Sequence, residues 1–172
     1  VLSDMLRQTK DMYGVFYIRL SRKKAEQIYM PGSTFEIGKA NTLREGSDAT
    51  IIASGICVAD ACRVADKLAD EGIHVRVLDM FTIKPIDKEA IIKASKETGA
   101  IVTVENHNIM NGLGSAVSEV LSEEAPCRMK RLGAPDSFGE VGTVPFLKEK
   151  FHMAEKDIEE AVKSLISKKD VA

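Results

Sequence analysis

From residue 48 to about residue 125, short apolar runs alternate with longer stretches whose apolar positions recur at helical spacing. Ala49-Thr50-Ile51-Ile52-Ala53-Ser54 predicts a strand ended by Gly55, and the stripe Val58, Ala61, Cys62, Ala65, Leu68, Ala69 predicts a helix stopped by Gly72. Ile73-His74-Val75-Arg76-Val77-Leu78 predicts the next strand. Pro85 and a capping Asp87 open a helix carrying Ile91, Ile92 and Ala94, which Gly99 closes. Ile101-Val102-Thr103-Val104 is an apolar run without alternation, the pattern of a strand buried on both faces. A polar loop is expected over 105–108, then a helix opening at Gly112-Leu113-Gly114-Ser115 with Ala116, Val117, Val120 and Leu121 inward. Strands alternating with helices predict an α/β fold with a mostly parallel sheet and right-handed crossovers.

The flanks differ in texture. Residues 1–10 read as an amphipathic helix with Leu2, Met5 and Leu6 on one side, stopped by Gly14, and Val15-Phe16-Tyr17-Ile18 as a strand. Arg19-Leu20-Ser21-Arg22-Lys23-Lys24 is a basic tip directly after it, which composition alone makes a solvated loop. Phe35-Glu36-Ile37 and Ala40-Asn41-Thr42-Leu43-Arg44, separated by Gly38, predict a small hairpin in a connector. Beyond Pro126, Arg128-Met129-Lys130-Arg131-Leu132 reads as a short basic strand near a sheet edge. A short helix around Phe146, Leu147 and Phe151, and a longer one over 155–168, complete the chain.

A formal charge of −2 on 172 residues gives no electrostatic reason to expect nucleic acid or an acidic membrane as partner. No apolar run approaches the roughly 20 residues of a membrane span. The first residues lack the charge-then-apolar pattern of a signal peptide. The three cysteines show no metal-ligand spacing, and a cytoplasmic protein with reduced thiols is expected. Gly112, Gly114 and Ser115 at a helix start could meet an anion through free N–H groups, although Val117 stands where a dinucleotide fingerprint has its third glycine. The loop reads first as a structural turn. Glu105 and His107 beside it could act as acid and base, but hydrogen bonding at the strand end, or contact with another subunit, is the expected role.

Five blocks in register extend this picture. They are Gly14-Val-Phe-Tyr-Ile-Arg-Leu-Ser-Arg22, Ser47-Asp-Ala-Thr-Ile-Ile-Ala-Ser-Gly55, Val77-Leu-Asp-Met-Phe-Thr-Ile-Lys-Pro-Ile-Asp87, Val104-Glu-Asn-His107 with Gly112-Leu-Gly-Ser-Ala116, and Pro135-Asp-Ser-Phe-Gly-Glu-Val-Gly142. Together they resemble the thiamine-diphosphate-dependent transketolase family. The resemblance implies a three-layer, five-stranded sheet with four parallel strands and one antiparallel. It implies that residues 1–30 are the tail of a pyrimidine-binding domain, 31–47 a linker with the small hairpin, and 48–172 the family's C-terminal domain.

It further implies that Ser21-Arg22 is the family's substrate-binding pair, with Arg22 gripping a sugar phosphate. A guanidinium suits that task because its planar fork matches phosphate oxygens. Arg19 matches a common family residue and is expected to support the structure. Lys23 and Lys24 depart from many members. The complete enzyme would transfer a two-carbon ketol unit between sugar phosphates, as in the pentose phosphate pathway, with thiamine diphosphate and a divalent metal. This chain is expected to bind neither and to be inactive alone. A homodimer, and a thiamine-binding domain or subunit of the same enzyme, are the expected partners. The related readings are 1-deoxyxylulose 5-phosphate synthase and a subunit-docking domain of a 2-oxoacid dehydrogenase beta subunit.

Overall fold

A computed structural model describes residues 1–22 and 25–167 of the chain. Its centre is a five-stranded sheet in the order β1-β3-β2-β4-β5. The strands are β1 (Asn41–Arg44), β2 (Ala49–Ala53), β3 (Val75–Asp79), β4 (Ala100–Asn108) and β5 (Arg128–Ala134). β2 pairs in parallel with β3 and β4, and β4 with β5, while β1 runs antiparallel along β3. Every residue of β2 is buried, because helices cover both faces of the sheet.

Helix α1 (Leu2–Thr9) precedes the sheet; α2 (Cys57–Asp70), α3 (Lys88–Thr98), α4 (Leu113–Glu124), α5 (Val144–Lys150) and α6 (Glu155–Ser167) follow in order. Val58, Ala61 and Leu68 of α2, with Ile158 and Val162 of α6, pack on Ile51, Val77 and Val102. Ile91 of α3, with Leu113 and Val117 of α4, packs on Ile52, Leu78 and Ile101 of the other face. Local rules place the helix ends. The Asp87 carboxylate accepts the Ala90 N–H at 3.0 Å, and Gly99 takes a left-handed φ of 62° to close α3. Cys57 and Cys62 are buried, free thiols. No helix among the described residues is long and apolar enough to cross a membrane.

Three expectations are corrected. The hairpin does not form: β1 pairs with β3 and becomes the antiparallel edge of the main sheet, while Phe35 is buried edge-to-face against Tyr29 and Phe81. An open sheet edge offers β1 a longer ladder than three neighbouring residues could. Residues 15–18 form no strand and belong to no ladder of the described structure. Residues 105–108 are not a loop, because β4 continues to Asn108 beside β5, with an irregular register between Val104 and Asn108. The longer helix is described to Ser167, so the expected last turn at Lys168 lies outside the described residues.

The strand order creates a switch point. From β2 the chain crosses to β3 on one side, and from β3 it crosses to β4 on the other. The crevice between the carboxyl ends of β2 and β4 is where open α/β sheets hold ligands.

Candidate functional site

The switch-point crevice is occupied by the chain itself. Residues 19–22 and 25–29, here called the strap, are fastened to the carboxyl end of the sheet at three places. The Arg19 guanidinium donates to the main-chain oxygen of Asn106 at 2.8 Å and to its side-chain oxygen at 3.3 Å. Asn106 lies near the end of β4, and a Cβ placed on Gly55, just after β2, would stand 3.4 Å from its side-chain oxygen. Glu26 pairs with Arg63 of α2 at 2.6 Å. The Tyr29 hydroxyl donates to Asp79, the last residue of β3, at 2.6 Å. Asn41 donates to the same hydroxyl at 3.4 Å.

Ser21 lines a cleft of about 340 Å³ together with Glu26, Gly55, Asp60, Arg63 and Lys148. Arg22 is exposed beside it, between the anchors at Arg19 and Glu26. Lys23 and Lys24 lie outside the described residues. The cleft wall is an ion-pair network. Asp60, 4 % exposed, accepts from Arg63 at 2.5 Å and from Lys148, and Arg63 also reaches Glu155 at 2.7 Å. The charged groups of the cleft therefore satisfy one another. This network was not anticipated; the available signal was Asp60 and Arg63 one helical turn apart at the start of α2.

In the glycine-rich loop, proposed above as a meeting place for an anion, the first N–H groups of α4 already have a partner. Its anion is internal: the Glu105 carboxylate, 2 % exposed, accepts the Leu113 and Gly114 N–H groups at 2.8 Å each. A carboxylate at a helix N-terminus satisfies orphan donors and complements the dipole. Gly112 has no room for a Cβ because the Glu105 carboxylate occupies that space, and a Cβ on Gly114 would stand 2.8 Å from Arg131. The Ser115 hydroxyl closes the loop, accepting from Asn111 N at 2.9 Å and donating to Ile109 O at 3.2 Å. His107 is exposed, its Nδ1 3.1 Å from Asn108 O. Glu105 and His107 thus form no acid–base pair, and the strand-end hydrogen-bonding role expected for Glu105 is the one observed.

Two further groups have shifted proton affinity. Burial pushes the Asp79 carboxyl up to about 6, outweighing the opposing Tyr29 hydroxyl and the chain's amino terminus. Burial likewise pushes the Cys57 thiol up to about 12, which makes it a poor nucleophile. Among the described residues, no three His, Cys, Asp or Glu side chains are grouped to hold a metal ion.

Comparison with known proteins supplies the remaining findings. The family model described as "Transketolase, C-terminal domain" matches residues 38–158. The 6-deoxy-6-sulfo-D-fructose transketolase subunit SqwH of Clostridium sp. (strain MSTE9) is 45% identical over 157 residues, 91% of this chain and 49% of that protein. The 1-deoxy-D-xylulose-5-phosphate synthase of Heliobacterium modesticaldum is 37% identical over 95% of this chain and 26% of its own length. A solved structure titled "Split gene transketolase, inactive beta4 tetramer" superposes with a TM-score of 0.90 at 41% identity, over 95% of this chain and 54% of that one. The chain thus spans half or less of the length of these two curated relatives.

Proposed function

Because the chain belongs to the transketolase family through its C-terminal domain, we propose that it is the C-terminal part of a thiamine-dependent transketolase that moves a two-carbon ketol unit between sugar phosphates. The observation that carries the reading is the placement of Ser21-Arg22. Ser21 lines a cleft, and Arg22, next in the chain, is exposed, with Arg19 before it and Glu26 after it fastened to the domain. Thiamine diphosphate would supply the carbanion chemistry. The helix start at Gly112 already holds an internal carboxylate, Glu105. We assign cofactor and metal to the rest of the enzyme and take this chain alone to be inactive.

Residues 1–30 are assigned to the tail of the pyrimidine-binding domain. Their apolar side chains support this. Tyr13, Val15 and Tyr17 are 107%, 101% and 87% exposed, an arrangement that calls for a covering surface. The thiamine-binding part of the enzyme, on this chain's preceding segment or on a separate subunit, is the proposed cover, and the assembled enzyme is proposed to be a homodimer of such units. The split-gene transketolase structure, titled a tetramer of beta chains, shows that a relative of this half assembles with its own copies.

The role of this chain in chemistry is then to hold the substrate's remote anionic end. Arg22 would donate a two-pronged hydrogen bond to a phosphate. A sulfonate, such as the 6-sulfo group in the name of the Clostridium relative, offers a similar set of oxygens. In the complete enzyme, Arg22→Ala should lower kcat/KM for an anionic donor by about tenfold to a hundredfold, equivalent to ~1.5–3 kcal/mol, chiefly through KM. The loss on an unphosphorylated ketose should be much smaller, and Arg22→Lys should recover only part of the anionic-donor activity. Equal losses on both donors would show that Arg22 supports the fold instead. The synthase relative supports a second reading, which formation of 1-deoxyxylulose 5-phosphate by the complete enzyme would favour.

A further inference from the structure

The crevice at the switch point is the place where this kind of sheet usually receives a ligand, and here it receives Arg19. The guanidinium donates to both oxygens of Asn106, whose side chain lies beside Gly55, so the strap is held by the end of β4 next to the end of β2. Three residues later comes Arg22, and four after that Glu26, which Arg63 holds at 2.6 Å. A chain reaches at most about 3.5 Å per residue, so Arg22 can stray only ~10 Å from the first pin. The domain side of the second pin is rigid. Arg63 is fixed by Glu155 at 2.7 Å and by buried Asp60 at 2.5 Å, and Lys148 holds Asp60 from the other side. An ion pair at the surface contributes little by itself, but one prong of a four-partner network has a defined geometry. The described charged groups of the cleft, Glu26, Asp60, Arg63 and Lys148, are paired with one another, and Glu26 of the strap is one of them.

We infer that the C-terminal domain sets the position of the anion-gripping Arg22 through two pins, Arg19 on Asn106 and Glu26 on Arg63, and that Arg19 and Arg63 are positioning residues for the substrate's anionic end. This rests on the reading of Arg22 given above. The domain thereby takes part in substrate selection without touching the substrate: loosening either pin disperses the guanidinium over orientations that cannot meet the anion in two-pronged fashion.

The test is steady-state kinetics of the complete enzyme on a phosphorylated and an unphosphorylated ketose donor. Arg19→Ala, Arg63→Ala and Glu26→Ala are each made in the wild type and in an Arg22→Ala background. Glu26→Ala removes only the exposed prong and leaves Arg63 with Asp60 and Glu155, so it remains informative if Arg63→Ala disturbs folding. Each variant should lower the preference for the phosphorylated donor about three- to tenfold, in KM rather than kcat. Arg19→Lys, which keeps a donor for the Asn106 oxygens, should recover part of the preference. In the Arg22→Ala background the same substitutions should leave the preference where Arg22→Ala alone put it, because they act through that residue. Equal losses on the two donors, or a further fall in preference without Arg22, would overturn the inference. An Arg22→Ala enzyme that keeps the full preference would instead remove the Arg22 reading itself.

Discussion

At the scale of single residues, Asp79 carries the clearest pH signature. Its carboxyl is 4 % exposed at the end of β3, and burial raises it from 3.8 to about 6. The folded chain therefore binds a proton more tightly than the unfolded chain between about pH 4 and pH 6. Stability from this group is fully present below the unfolded value and is lost as pH rises through that window, by on the order of 2–3 kcal/mol. Asp79→Asn keeps an oxygen for the Tyr29 hydroxyl and removes the titration. The variant should be more stable than the wild type at pH 7 and should lose this part of the slope between pH 4 and 6. Urea unfolding across that range decides it, and an unchanged slope would point to another group. Asp79 is not legible as special in Val-Leu-Asp-Met, because its partner Tyr29 is 50 residues away. Asp87, by contrast, is legible, because the N–H it caps belongs to Ala90, three residues on.

At the scale of elements, the β4–α4 connection shows how one carboxylate shapes a loop. Glu105 leaves the core end of β4 and fills the first turn of α4, and the glycines leave room for it. Glu105→Ala would orphan two buried N–H groups and open a cavity, costing about 2–4 kcal/mol. Gly112→Ala would force its methyl into the carboxylate and should cost about 1–3 kcal/mol. Since the two residues compete for one space, the double variant should be more stable than the sum of the singles allows. Denaturant midpoints of the three variants give the coupling, and additive losses would separate Gly112 from Glu105. The same strand shows where pattern reading stops. Residues 105–108 are polar, and polarity predicted a loop, yet the neighbouring β5 extends the ladder to Asn108. Residues 15–18 present the opposite case. Their composition is that of a strand, but a strand exists only with a partner, and the described structure offers none beside them.

At the scale of the molecule, a well-packed sandwich of sheet and helices carries an apolar ribbon that it does not cover. Tyr13, Val15 and Tyr17 of the N-terminal segment after α1 are exposed. The chain in isolation should self-associate through this ribbon. Val15→Asp with Tyr17→Asp should shift sedimentation toward the monomer while leaving the melting temperature within a few degrees, because neither side chain packs on the core. Association undiminished by both aspartates would place the contact elsewhere, with the exposed Phe138 and Val141 of the loop before α5 as the next surface to alter.

What the sequence by itself determined is what acts over a few residues: the buried runs of β2 and β4, the stripes of α2, α3, α4 and α6, the Asp87 cap and the Gly99 stop. Periodicity, capping and turn chemistry operate within one or two helical turns, so they survive without a partner in view. The order of five motif blocks added the family, and with it the single antiparallel strand. Only the tertiary structure decided that residues 41–44 would join β3 rather than close a hairpin, that Glu105 would be the anion at the Gly112 helix start, and that Arg19, Glu26 and Tyr29 would fasten the strap bearing Ser21-Arg22 across the sheet. Each is a pairing between groups distant in sequence or a competition for one space. Which partner wins depends on where the whole sheet sets them, and no local pattern carries that information.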